Sequence, residues 1–139
     1  GINSTFRYRD FDFYMSGRLS VGNYVYNNVL SDRAVLASLY NQSGFFNNLP
    51  VAVNDTGFEN PQYFSDYYVE NASFFKMDNL SAGYNVATTG KLKTRVSFTV
   101  QNAFTITDYS GLDPEVDGGI DNNFYPRPRV FLLGLNLTF

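Results

Sequence analysis

The 139-residue sequence predicts an all-β chain, a segment of an antiparallel transmembrane β-barrel. Three observations lead there. Apolar and polar residues alternate over five separate stretches, which is the period of a strand with two different faces. The composition is rich in aromatics, with 14 Phe and 11 Tyr, yet no run of eighteen apolar residues occurs. That excludes a helical span of about 20 residues and leaves barrel strands, which need only about 9–11 and turn alternate side chains to lipid. Finally, the connections between the stretches alternate short and long, as in barrels with tight turns on one side and long loops on the other.

The first strand covers residues 1–8, with Ile2, Ser4, Phe6 and Tyr8 facing outward and Asn3, Thr5 and Arg7 inward. A chain that opens in a strand, without a charged and then apolar leader, reads as part of something longer. Arg9-Asp10 turns into the second strand, 11–21. Its Phe11, Phe13, Met15, Gly17, Leu19 and Val21 oppose Asp12, Tyr14, Ser16, Arg18 and Ser20. Asp12 and Arg18 require the second face to meet water or polar partners. The third strand, roughly 73–86, alternates through Leu80, Ala82, Tyr84 and Val86. Its phase slips near Asp78-Asn79, where a bulge is expected. Residues 87–91 turn into the fourth strand, 92–103, whose Leu92, Thr94, Val96, Phe98 and Val100 oppose Lys93, Arg95, Ser97, Thr99 and Gln101. The fifth strand, 130–139, sets Phe131, Leu133, Leu135, Leu137 and Phe139 against Leu132, Gly134, Asn136 and Thr138.

Two long connections remain, about 23–72 and 104–128. A fifty-residue loop argues against a compact soluble domain. Within it, Ser31-Asp32-Arg33-Ala34 reads as a helix start, with Val35, Leu36, Leu39 and Tyr40 on one face and Gly44 as the stop.

The chain contains no Cys and no His, which removes disulfides, thiol chemistry and the commonest general base and metal ligand. Its net charge is −3, with ten Lys and Arg scattered among thirteen acids, so no basic face is available for nucleic acid. The acid cluster Asp113, Glu115, Asp117 and Asp121 imitates the spacing of a calcium loop, but Phe124 stands where the bidentate Glu belongs and no helices flank it. An acidic loop stiffened by Pro114 and turned at Gly118-Gly119 is the favoured reading, with no cofactor and no catalytic centre. The aromatics Tyr63, Phe64, Tyr67 and Tyr68, and again Tyr109, Phe124 and Tyr125, lie on the long-loop side. They are candidates for stacking on a substrate or docking a partner protein, against a plainer reading as interfacial girdle or internal packing. Arg7, Asp12, Arg18, Lys93 and Arg95 are expected to face the lumen.

The segments FDFYMSGRLSVGNYVYNN (11–28), SFFKMDNLSAGYNV (73–86), VQNAFTITDYSGLDPEV (100–116) and YPRPRVFLLGLNLTF (125–139) resemble the C-terminal barrel strands of the SusC/RagA-like TonB-dependent transporters of the Bacteroidetes outer membrane. The resemblance runs the length of the chain. It implies a barrel of about 22 strands around an N-terminal plug, of which these residues supply about the last five, with plug and signal peptide outside the chain. It further implies energy-coupled import of oligosaccharides or peptides, a SusD-like surface lipoprotein as lid, TonB acting through the plug, and pairing into dimers of such complexes. For Phe131, Leu133, Leu135, Leu137 and Phe139 it implies a barrel-assembly signal. The rival reading is a free-standing soluble β-sandwich that binds carbohydrate through its loop tyrosines.

Overall fold

The computed structural model describes residues 1–40, 44–86, 92–122 and 125–138. Its elements are β1 (Ile2–Tyr8), β2 (Phe11–Ser20), β3 (Tyr24–Asn27), α1 (Asn28–Arg33), α2 (Val53–Thr56), β4 (Val69–Asn71), β5 (Phe74–Val86), β6 (Lys93–Thr107), β7 (Ile120–Asp121) and β8 (Val130–Thr138). The chain forms two units. One comprises Gly1–Val21, Phe74–Thr107 and the chain from Arg127 onward, and the other Gly22–Ser73 with Asp108–Pro126.

The first unit is a single antiparallel sheet in the order β1, β2, β5, β6, β8. These are the five strands that the alternation predicts, each beside its neighbour in sequence. Directly opposed residues share a face, so the register reads as rows. Three rows are mostly apolar: Tyr8, Phe11, Tyr84, Val96, Leu135; Phe6, Phe13, Ala82, Phe98, Leu133; and Ser4, Met15, Leu80, Val100, Phe131. The rows between them, on the opposite face, include Arg7, Asp12, Gly83, Ser97, Gly134 and Asn3, Ser16, Asn79, Gln101, Val130.

The apolar face is uncovered: Phe6, Phe13, Phe98, Leu133 and Leu135 are all exposed. A sandwich buries such a face against a second sheet, and the exposure sets that reading aside. From Phe11 to Leu19 the apolar residues of β2 span roughly 26 Å along the strand at about 3.3 Å per residue. Once the strands tilt as barrel strands do, that fills most of a band about 25 Å tall. Phe11 and Tyr84 touch with ring centroids 4.5 Å apart, beside the Arg9-Asp10 turn. Tyr8 belongs to the same row, so aromatics mark that margin as they do at a barrel's interfaces.

Asp78 is the expected bulge. Ser16 faces Asn79 and Gly17 faces Met77, which leaves Asp78 without an opposite number on β2. On the other side, β6 answers Asp78 with two residues, Asn102 and Ala103, and Asn102 adopts φ 51°. The slip moves the apolar set of β5 from Leu80 to Met77 and Phe75, opposite Phe104 and Ile106. β6 therefore runs to Thr107 instead of ending near residue 103. Sequence periodicity broke at the bulge while the ladder did not. The expected turn at 87–91 lies outside the described residues.

The second unit is where the expectations needed correction. Its long loops contain β3, which pairs antiparallel with β4 and parallel with β7. Strands of two to four residues are too short for alternation to reveal. The helix comes earlier than expected: α1 ends at Arg33, close to where a start was read at Ser31. Asn27 is the true cap, its Oδ1 accepting from the Leu30 N–H at 2.9 Å. Beyond Val35, the Leu36 and Ala37 N–H groups donate to the carbonyls of Phe58 and Glu59, so only a 3-10 turn, Leu36–Leu39, forms there. Val25, Ala72 and Tyr109 make a small core with Val116 packed against it.

Candidate functional site

The charged face of the five-stranded sheet brings together the residues expected to line a lumen. Arg7, Asp12, Arg18, Lys93 and Arg95 all project from it. Asp12 sits opposite Arg7, and its carboxylate takes Arg95 from two strands away, with Nε donating to Oδ1 at 3.1 Å and Nη2 to Oδ2 at 2.5 Å. This fork needs space. Gly83 supplies it between the two, because a Cβ there would lie 2.6 Å from Asp12 Oδ1. Gly134 likewise makes room for Ser97, whose Oγ would be 2.6 Å from an added Cβ. Both pair members are about one-third exposed or less, so the contact is a solvated, bidentate one.

Further along the face, Arg18 pairs with Asp78 at 3.2 Å. The bulge makes that pair: it turns Asp78 out of the ladder and beside the next inward cation. Sequence reading found Arg18 and missed its partner, because a period-two count assigns Asp78 no dependable side. Gly83 lies opposite Asp12 and Gly134 opposite Ser97, and alternation alone picks out neither glycine.

In the loop unit a polar network, buried at Asn27 and Asp121 and open to solvent at Ser110, fastens the two long loops together. Asn27 Nδ2 donates to Glu70 Oε1 (2.9 Å) and to Ser110 Oγ (3.1 Å). The Ser110 backbone N–H and its hydroxyl both donate to the Glu70 carboxylate, at 2.8 and 2.7 Å. Beside them the Tyr109 hydroxyl donates to Asp121 Oδ2 at 2.7 Å.

The aromatic candidates divide by burial. Phe64 and Tyr125 are each 93% exposed, and Tyr63 and Tyr67 are exposed as well. Phe64 adopts φ 59°, a strained conformation for a bulky residue, with its N–H held by the Tyr26 hydroxyl at 3.0 Å. Tyr68 and Tyr109 are corrected: both are buried and serve as anchors of the loop unit instead of contact surfaces. Tyr68 packs edge-on against Tyr26 and Tyr67. Burial and the neighbouring tyrosines raise its pKa. Phe124 lies outside the described residues.

The four acids of the calcium-like spacing do not converge. Asp113 Oδ1 accepts the Glu115 N–H at 2.9 Å, an Asx turn. Asp117 opens a one-turn 3-10 segment through Gly118 and Gly119, both at positive φ, and Asp121 is buried against Tyr109. Among the described residues no three metal-ligating side chains are grouped to hold an ion. A cavity of about 220 Å³ in the same unit has Val29, Leu30, Pro50 and Leu112 in its wall. Asp121, one of the acids of the calcium-like spacing, lines it as well.

Tyr109 carries a pH prediction. Burial, and then the bond to Asp121, push its phenol well above the usual tyrosine range. The neutral form is the one that the fold favours, so this stabilisation is complete below roughly pH 10 and is lost as pH rises through the folded value. Tyr109→Phe is expected to weaken loop docking by about 1–3 kcal/mol and to flatten the alkaline limb. Proteolysis of the loops between pH 8 and 11 measures both.

An antiparallel sheet with one lipid-compatible face, one ion-paired face and two long loops folded into a separate unit defines a segment of an outer-membrane-type β-barrel. No family model matches the chain. It is 43% identical, over its full length, to the TonB-dependent receptor SusC of Bacteroides thetaiotaomicron, and 30% identical to the TonB-dependent receptor P3 of Formosa agariphila. In structure it superposes on a chain of the RagAB peptide transporter with TM-score 0.72 at 22% identity, covering 94% of this chain and 16% of that one. The chain thus belongs to the SusC/RagA-like TonB-dependent receptors, as a part of their barrel, and its place is the bacterial outer membrane. It spans about 15% of the length of SusC. Its relatives are receptors and transporters, not enzymes.

Proposed function

We infer that the complete protein imports large nutrients across the outer membrane by TonB-coupled transport, and that residues 1–139 form a C-terminal part of its barrel wall and extracellular loops. The supporting observation is the two-faced sheet: hydrocarbon-compatible rows on one side, and Asp12, Arg95, Arg18 and Asp78 joined in ion pairs on the other. Such a wall encloses a polar lumen. The cargo class is oligosaccharides or peptides. A SusD-like lipoprotein lids the loops and TonB acts through a plug, with such complexes paired as dimers. The exposed Tyr63, Phe64, Tyr67 and Tyr125 are the contacts offered to cargo or lid. Phe139, outside the described residues, completes the assembly signal begun by Phe131, Leu133, Leu135 and Leu137.

Deleting the gene of the complete receptor tests this. Growth on one class of oligomer, oligosaccharide or peptide, is expected to fail while growth on its monomers is kept. Undiminished growth on every oligomer tried would refute the importer.

A further inference from the structure

We propose that the stacked bulges of β5 and β6, beside Gly17 of β2, build a binding recess for a carboxylate group of the transported cargo, with Arg127 as its anchoring cation. The proposal rests on the transport reading above.

Two strands break step at one level, and a third comes close beside them. Asp78 is extra relative to β2, Asn102 and Ala103 together answer it on β6, and Gly17 lets β2 approach so closely that a Cβ there would stand 2.8 Å from the Lys76 carbonyl oxygen. Bulges re-aim side chains and open the ladder locally. Here they open a recess of about 410 Å³ lined by Arg18, Asp78, Asn79, Gln101, Asn102 and Arg127, with Ser16 at its margin. Every lining side chain is polar, two are guanidinium groups and one is a carboxylate.

The two cations differ in what they hold. Arg18 is bonded to Asp78. Arg127 is exposed and makes no hydrogen bond or ion pair among the described residues. Its position is fixed all the same: Asn102, in the left-handed conformation, donates from Nδ2 to the Pro128 carbonyl at 2.9 Å and ties that stretch to β6. A planar fork of donors beside three side-chain amides matches a carboxylate flanked by hydroxyl or amide groups. The recess also lies toward the long-loop ends of the strands. Asp78 is four residues from the start of β5 and eight from its end. Cargo entering through the loops meets this level before the level of the short turns.

The carboxylate could come from an acidic sugar or from a peptide terminus, and matched pairs distinguish the two sources. Purified complete receptor, wild type and Arg127→Gln, is titrated with trigalacturonate against neutral galactotriose, and with a free-acid heptapeptide against its amide. Wild type is expected to favour the acidic member of one pair. Arg127→Gln is expected to weaken that member about tenfold while leaving the neutral one unchanged, and Arg127→Lys to keep most of the preference. The pair that responds names the source. Wild-type binding that Arg127→Gln leaves intact, or lowers equally for acidic and neutral members, overturns the recess alone; an equal loss would place a carboxylate of the receptor's own interior there. Wild type that binds no member of either pair overturns the recess, while the transport reading stands or falls on growth of the deletion strain.

Discussion

Gly17→Val in the complete receptor is expected to reduce the folded, heat-modifiable species in the outer membrane about tenfold or more. The new Cβ would come within 2.8 Å of the Lys76 backbone oxygen and 3.4 Å of the Phe75 ring. A ring can turn aside, but a carbonyl in a sheet ladder cannot do so without breaking pairs on both sides. Overpacking of this kind costs roughly 1–3 kcal/mol where side chains yield, and here the obstacle is backbone beside a bulge. Gly83→Ala is the comparison. Its Cβ meets the flexible ends of Asp12 and Arg95, so it should displace a solvated ion pair and cost less. The band ratio in unboiled gels, with the urea midpoint of refolded receptor, measures both variants. Equal losses would show that the approach of β2 to Lys76 does not limit the fold.

The contrast between these glycines bears on what the sequence could reveal. The five long strands and both of their faces were legible, because alternation over seven or more residues has one solution once Asp12, Arg18, Lys93 and Arg95 must share a side. Asp78 was legible as a slip, but not as the partner of Arg18, since phase is undefined at a bulge. The loop unit was not legible. Its strands have two to four residues, and its stability comes from side chains as far apart as Asn27 and Ser110, 83 positions along the chain. Loop position left Tyr68 and Tyr109 open between contact surface and internal packing; burial makes them anchors. The helix was misplaced for a similar reason. Ser31 has the chemistry of a cap, yet Asn27 holds that role because β3 ends there and the network with Glu70 orients it.

Adjacent leucines on β8 provide the sharpest test of the membrane face. Leu133 is 80% exposed and shares a row with Phe98, Ala82, Phe13 and Phe6. Leu132, also exposed, shares the opposite face with Thr99, Ser81 and Tyr14. In water the two substitutions Leu133→Arg and Leu132→Arg would be nearly equivalent, since each puts a cation on an uncovered position. In a bilayer they are not. An arginine on the lipid face near the midplane costs about 2–4 kcal/mol, whereas a lumen position tolerates charge. Leu133→Arg is therefore expected to lower the folding equilibrium of the complete receptor in lipid vesicles by roughly 30- to 1,000-fold, and Leu132→Arg to leave it within a fewfold of wild type. The position of the penalty also fixes the register, because a slip of one residue exchanges the faces of the whole strand. If Leu132→Arg proves the more damaging of the two, the apolar rows face inward and the assignment of Arg95, Asp12 and the bulge recess to the lumen fails with them.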